Sequence, residues 1–256
     1  MYILLVEDVP LNAEIATNLL EQRGHEVLWA ETGEDALSFV ETEDDLDLVL
    51  LDMQLPDING DVVAKQIRSD SHFDKLPIVA LTANVRSAEE ELEGISIQGA
   101  LAKPINTVKL DKMLADLFGI KQSECTEPLL KVSEEALKGI DAHLLDMETI
   151  EDFVNSMGLV VFRRSSQLFE KLSPQYQQEL LTSLNTGDRE EYESVAHKLK
   201  GAAGSVGLND VQLHAKIMEH GAIDESDEVL KQWLDILADK INEGQKALHL
   251  FLQQLE

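Results

Sequence analysis

At 256 residues, 44% apolar and 27% charged, the chain is long enough for two ordinary domains, each burying its own core. Its formal charge of −28 argues against a nucleic-acid surface, which needs clustered Lys and Arg, and no apolar run reaches the ~18 residues of a membrane span. Cys125 is the only cysteine, so no internal disulfide forms; in its polar stretch it reads as an inert thiol suited to a reducing compartment. The first apolar run, 2–6, turns acidic at Glu7-Asp8, too soon for a signal peptide. The expected location is cytoplasmic, for a free-standing protein or for the end of a longer membrane protein.

In chain order, short apolar runs at 2–6, 27–30, 48–51, 78–81 and 100–102 alternate with segments of helical spacing at 10–23, 34–42, 59–69, 87–94 and 107–118. Buried strands alternating with helices predict a parallel sheet covered on both faces. Five such units fit the doubly wound, flavodoxin-like α/β order 2-1-3-4-5, whose ligand crevice lies beyond the carboxyl ends of the strands. Residues 121–139 lose the alternation and become polar, which predicts a linker between a first domain over 1–120 and a second over 140–256.

No strand pattern follows Asp141. Asp146 can cap a helix over 147–157 that Gly158 ends, and Asp188 can cap another over 189–206. Residues 159–185 have apolar helical periodicity with a bend expected near Pro174, and further helices are expected over 209–220 and 226–254. Helices joined by short turns predict an antiparallel bundle. Phe162, Leu168, Phe169 and Leu172 fall at core spacing, and Trp29 and Trp233 are also expected in cores.

Polar residues mark the strand ends. Glu7 and Asp8 follow the first run, Asp52 the third, Thr82 the fourth and Lys103 the fifth, so all converge on one crevice. Three carboxylates brought together repel one another and call for a hard divalent cation, for which Mg²⁺ is suited. Beside such an ion Asp52 becomes a carboxylate nucleophile toward phosphorus, with Lys103 and Thr82 to compensate charge on phosphoryl oxygens. Taken singly, each residue could be a turn, cap or solvated loop residue; five at five strand ends are hard to produce by chance.

The set Glu7-Asp8, Asp52 within 50–60, Thr82-Ala83 and Lys103-Pro104 resembles the receiver domain of two-component signalling over about residues 2–118. The resemblance implies phosphorylation of Asp52, Mg²⁺ held by Glu7, Asp8, Asp52 and the backbone carbonyl of Gln54, and a cis Lys103–Pro104 bond. One departure is Ala100, which stands where many receivers carry an aromatic residue. The expectation is therefore a receiver that relays phosphate without an aromatic rotamer switch; a large phosphorylation-dependent chemical-shift change confined to 87–118 would count against it.

In the second half, His197 lies mid-helix with Lys200, Gly201 and Gly204 on its own face, at i+3, i+4 and i+7. Glycine inside a helix costs about 1 kcal/mol relative to alanine, which suggests a surface kept low for another protein's active site. Imidazole offers a neutral nitrogen near pH 7, and Lys200 can offset phosphoryl charge. The alternative is a packing histidine in a Gly/Ala-rich helix contact. His214 and His220 lie on different faces and make poor paired metal ligands.

His197, Leu199, Lys200 and Gly201 resemble the signature of the histidine-phosphotransfer domain, a four-helix bundle, over roughly 141–256. Receiver followed by phosphotransfer bundle resembles the C-terminal end of tripartite hybrid sensor histidine kinases, and 48–60, 79–85 and 196–208 look most like the anaerobic redox-control type. The implied route runs from a kinase phosphohistidine to Asp52, then His197, then the aspartate of a separate response regulator. No ATP-binding glycine boxes are found. The rival readings are a non-catalytic interaction module and two phosphorylatable sites that do not exchange within one chain.

Overall fold

The computed structural model describes residues 1–82, 94–103, 105–119 and 139–255. The chain divides into two compact units, Met1–Thr126 and Glu127–Glu256. Most of the helix expected over 87–94, Pro104 with its expected cis bond, Cys125 and most of the linker expected over 121–139 lie outside the described residues.

In the first unit β1 (Tyr2–Val6), β2 (Glu26–Ala30), β3 (Leu48–Asp52), β4 (Ile78–Thr82) and β5 (Gly99–Ala102) form one parallel sheet in the order β2-β1-β3-β4-β5. That is the expected 2-1-3-4-5 order, and each strand lies within one residue of its apolar run. Register places Leu4 beside Val49 and Val6 beside Leu51. These four side chains pack with Ala36 and Val40 of α2 (Gly33–Thr42) and Val63 and Ile67 of α3 (Gly60–Ser69). Ile3, Leu5 and Leu50, which alternate with them, are also fully buried. Each such side chain contributes roughly 1.5–3 kcal/mol by leaving water. The helices α1 (Pro10–Glu21) and α4 (Thr107–Phe118) complete the described layers, α1 opening on a proline whose missing N–H is no loss in the first turn.

Trp29 departs from expectation. Because β2 is an edge strand, the indole stays 41% exposed, and its Nε1–H donates to the Glu7 carbonyl at 2.8 Å.

The second unit is helical: α5 (Met147–Met157), α6 (Leu159–Thr186), α7 (Arg189–Ser205), α8 (Asn209–Gly221) and α9 (Asp227–Gln254). Contacts join α6 to α7, α7 to α8, α8 to α9 and α9 back to α6, the closed ring of a four-helix bundle, with α5 packed on α6. Asp146 and Asp188 cap as expected, accepting the Thr149 and Glu191 N–H groups at 3.2 and 3.0 Å. Helix α6 runs unbroken through Pro174. The proline removes the amide that would bond the Glu170 carbonyl, and the Ser173 hydroxyl donates to that carbonyl instead at 3.4 Å. Phe162 and Phe169 are fully buried, whereas Leu168, Leu172 and Trp233 are only partly so. Among the described residues no helix is long and apolar enough to cross a membrane.

Candidate functional site

Glu7 and Asp8 leave the end of β1, and Asp52 is the last residue of β3, which pairs directly with β1. All three are buried, at 2%, 3% and 2% exposure, and each offers a carboxylate oxygen within 4.8 Å of the others. The backbone bond from Lys103 N–H to the Thr82 carbonyl, 2.8 Å, carries Lys103 to the same edge beside Thr82. From there its Nζ bridges Glu7 Oε2 and Asp52 Oδ2, 2.5 Å from each. The five residues expected at the strand ends are therefore gathered at one sheet edge.

Two of these buried carboxylates, Glu7 and Asp52, share one ammonium, with the Asp8 carboxylate close by. Burial pushes Glu7 up to about 7 despite the pull of Lys103, with the Asp52 charge adding to the rise. Burial would lower Lys103, but the charges of Asp52 and Glu7 outweigh it and raise the ammonium above its ordinary range. Three carboxylate oxygens this close would hold a divalent cation, and an all-oxygen donor set suits a hard ion.

Other contacts fix the cluster. Asn12 Nδ2 donates to Glu7 Oε1 at 3.0 Å, and the Gln54 N–H donates to Asp52 Oδ1 at 3.1 Å. Asp57 Oδ1 and Oδ2 accept the Gly33 and Glu34 N–H groups at 2.9 and 2.8 Å, tying the loop after Asp52 to the start of α2. Burial would raise Asp57, but these backbone bonds outweigh it and hold its carboxyl low. Gly60 closes the loop: a Cβ there would collide with the Asp52 carbonyl oxygen and sit 2.9 Å from Met53 Cα. Asn12 and Asp57 carried no sequence signal beyond a polar side chain in a helix or turn.

In the second unit His197 and Lys200 share a face of α7, and α8 delivers Glu219 to both. His197 Nδ1 lies 2.6 Å from Glu219 Oε1, and Lys200 Nζ lies 2.7 and 2.6 Å from the two Glu219 oxygens. Lys200 Nζ is 3.1 Å from His197 Nδ1. Burial would raise Glu219, which is 7% exposed, but hydrogen bonds from His197 and Lys200 outweigh it and lower it to about 2. Glu219 was missed in the sequence. Its one signal was a charge beside Met218 on the face that also carries Ala215 and Val211, all buried.

Gly204 corrects the expectation of a lowered surface. It is buried beneath α8, where a Cβ would meet Gln212, so at this position the glycine serves helix approach. His214 is a buried structural residue whose Nε2 bonds the Trp233 carbonyl at 2.8 Å.

Residues 3–115 match the response regulator receiver domain and residues 164–255 match the Hpt domain. The chain joins a receiver domain to an Hpt domain. Receiver and Hpt domains together belong to two-component phosphorelay signalling. The aerobic respiration control sensor protein ArcB of Escherichia coli is 30% identical over 239 residues, 93% of this chain and 30% of that protein. The sensor histidine kinase AruS of Pseudomonas aeruginosa is 31% identical over 212 residues, 80% of this chain and 19% of that one. The chain thus spans less than a third of the length of either relative. Among solved structures, the receiver domain of the Pseudomonas aeruginosa sensor histidine kinase PA1611, with a magnesium ion in its cleft, is 31% identical. The match covers 46% of this chain and 98% of that one, with a TM-score of 0.43.

Proposed function

We propose that the receiver accepts a phosphoryl group on Asp52 and that His197 of the Hpt domain takes it onward. The observation that carries this reading is the Lys103 ammonium bridging Asp52 and Glu7 beside Asp8 at one sheet edge. The domains are taken as a receiver over 1–120, a linker over 121–139 and an Hpt bundle over 140–256. The upstream donor is a histidine kinase core, in the same full-length protein or another, and the downstream acceptor is a separate response regulator. The expected setting is cytoplasmic.

Mg²⁺ fits the donor set, held by Glu7, Asp8, Asp52 and the Gln54 backbone carbonyl, and when bound it supplies positive charge to phosphoryl oxygens. Asp52 then attacks phosphorus, an O–P bond forms, and the N–P bond of the donor phosphohistidine breaks. Lys103 balances charge on the incoming oxygens and Thr82 offers them a hydroxyl. The acyl phosphate is next attacked by His197, with Lys200 beside the ring, and the Asp52 carboxylate is regenerated. Water in place of His197 would make the receiver a slow phosphatase.

The test follows phosphate on the wild-type chain, Asp52→Ala and His197→Ala, using a small-molecule phosphodonor with Mg²⁺. The expected result is an acid-labile, alkali-stable phosphohistidine in wild type that both substitutions abolish. Label that stops at Asp52 whatever occupies position 197 would overturn the second transfer.

A further inference from the structure

We propose that Trp29 is a positioning residue for the acidic cluster: its indole N–H anchors the peptide that joins Glu7 to Asp8, and so sets the spacing of two carboxylates that would hold Mg²⁺. This rests on the reading of Glu7, Asp8 and Asp52 as ligands of that ion.

The three carboxylates do not start from equally firm backbone. Asp52 is the last residue of β3 and still lies in register with Leu81 of β4. Glu7 and Asp8 lie past the end of β1, where the ladder runs out. The Glu7 N–H donates to the Ala30 carbonyl at 3.1 Å, but β2 ends at Ala30 and the chain turns away to Thr32, which caps α2. The indole takes the next position along. Its Nε1–H donates to the Glu7 carbonyl at 2.8 Å, where a longer β2 would have offered backbone. Leu28 and Ala30 pack into the cluster with α2 and α3, so Trp29 between them points to the other face of the sheet, and from there its ring reaches forward to the strand ends.

A peptide unit is planar, so holding the Glu7 oxygen constrains Glu7 ψ and Asp8 φ together. Those two torsions set the angle between the Glu7 and Asp8 side chains. Asn12 and Lys103 hold the far end of the Glu7 side chain, on Oε1 and Oε2, whereas the indole holds the peptide behind it. Mg²⁺ demands near-octahedral ligands at about 2.0–2.1 Å, so a small tilt of that peptide weakens binding. The burial pattern favours this role over plain packing. Trp29 stays 41% exposed on an edge strand, yet its one polar atom bonds a residue only 2% exposed.

The test uses the full chain with Trp29→Phe, which removes the donor and shrinks the ring. A second protein carries benzothienylalanine at position 29 in a Trp233→Phe background, which keeps the bicyclic shape and removes only the N–H. Calorimetric titration with Mg²⁺ should show Kd raised roughly tenfold in both, against wild type and Trp233→Phe respectively. With a small phosphodonor, the Mg²⁺ concentration that half-saturates labelling of Asp52 should rise by the same factor, and saturating Mg²⁺ should restore the rate. Unchanged Mg²⁺ affinity in the benzothienyl protein overturns the proposal whatever Trp29→Phe does, because ring shape then suffices. A rate that stays low at saturating Mg²⁺ with unchanged half-saturation overturns it as well. If Trp29→Phe does not fold, the benzothienyl protein decides alone. A wild-type chain that binds no Mg²⁺ sinks the metal reading, and this role with it.

Discussion

In the receiver, among the described residues, two buried carboxylates, Glu7 and Asp52, share the Lys103 ammonium beside a third, Asp8; in the Hpt unit one buried carboxylate, Glu219, is shared by an ammonium and an imidazole. The first cluster gathers three carboxylates whose oxygens suit a hard cation. The second is satisfied by its own side chains, which hold the His197 ring in place. In the proposed relay, charge compensation therefore concentrates on the receiver side, while the bundle contributes a fixed ring. Both depend on burial, which makes each unpaired charge expensive and each pairing strong.

The comparison can be broken most forcefully at Lys103. Lys103→Met leaves Glu7 and Asp52 without their shared cation, and losing one partner of a buried charge cluster costs about 3–5 kcal/mol. Urea unfolding of the receiver transition, followed by Trp29 in a Trp233→Phe background, should show that loss in chelator-treated buffer. Added Mg²⁺ should recover much of it.

Acid should act on the other site. Glu219 lies at about 2 in the fold against an ordinary 4.5, so its contribution is fully present above about 4.5 and is lost as pH falls through about 2. The shift corresponds to about 3 kcal/mol. In a Trp29→Phe background reporting through Trp233, wild type should lose that much more stability than Glu219→Gln between pH 5 and pH 2, both limits being approximate. Equal acid slopes in the two proteins would falsify the assigned ion pairs.

Two smaller effects sharpen the contrast. At a concentration ten times its Kd, Mg²⁺ should stabilise the receiver transition by about 1.4 kcal/mol and leave the bundle transition unmoved, as two-transition calorimetry can check. Asp57→Ala removes a carboxylate that caps α2 from another loop and should cost about 1 kcal/mol, a typical capping loss. Its Mg²⁺ affinity, read by titration, should fall modestly because the Asp52 loop loses its tether.

Much of this was legible in the sequence. Parallel strands buried on both faces read as unbroken apolar runs, so β1 and β3 were visible, and with them the residues at their carboxyl ends. Asp146 and Asp188 were legible because capping is local. Glu219 was not, because its partners lie 22 and 19 positions away across a helix-helix contact that sequence spacing does not encode. Trp29 misled because an aromatic residue in an apolar run reads as core, although the expected strand order already placed β2 at an edge. Gly204 misled for a related reason: a glycine beside a functional histidine has the same appearance whether it clears space for a partner or for Gln212.

The near-contact at Gly60 has an evolutionary consequence. Since even one carbon would strike the backbone of Asp52 and Met53, the distance between the start of α3 and the end of β3 is written into the alphabet allowed at position 60. In a saturation library scored for folded protein, that column should collapse to a single letter. Lys65, exposed on the same helix, should accept many. A loop built this tightly can diversify its rim while its floor stays fixed.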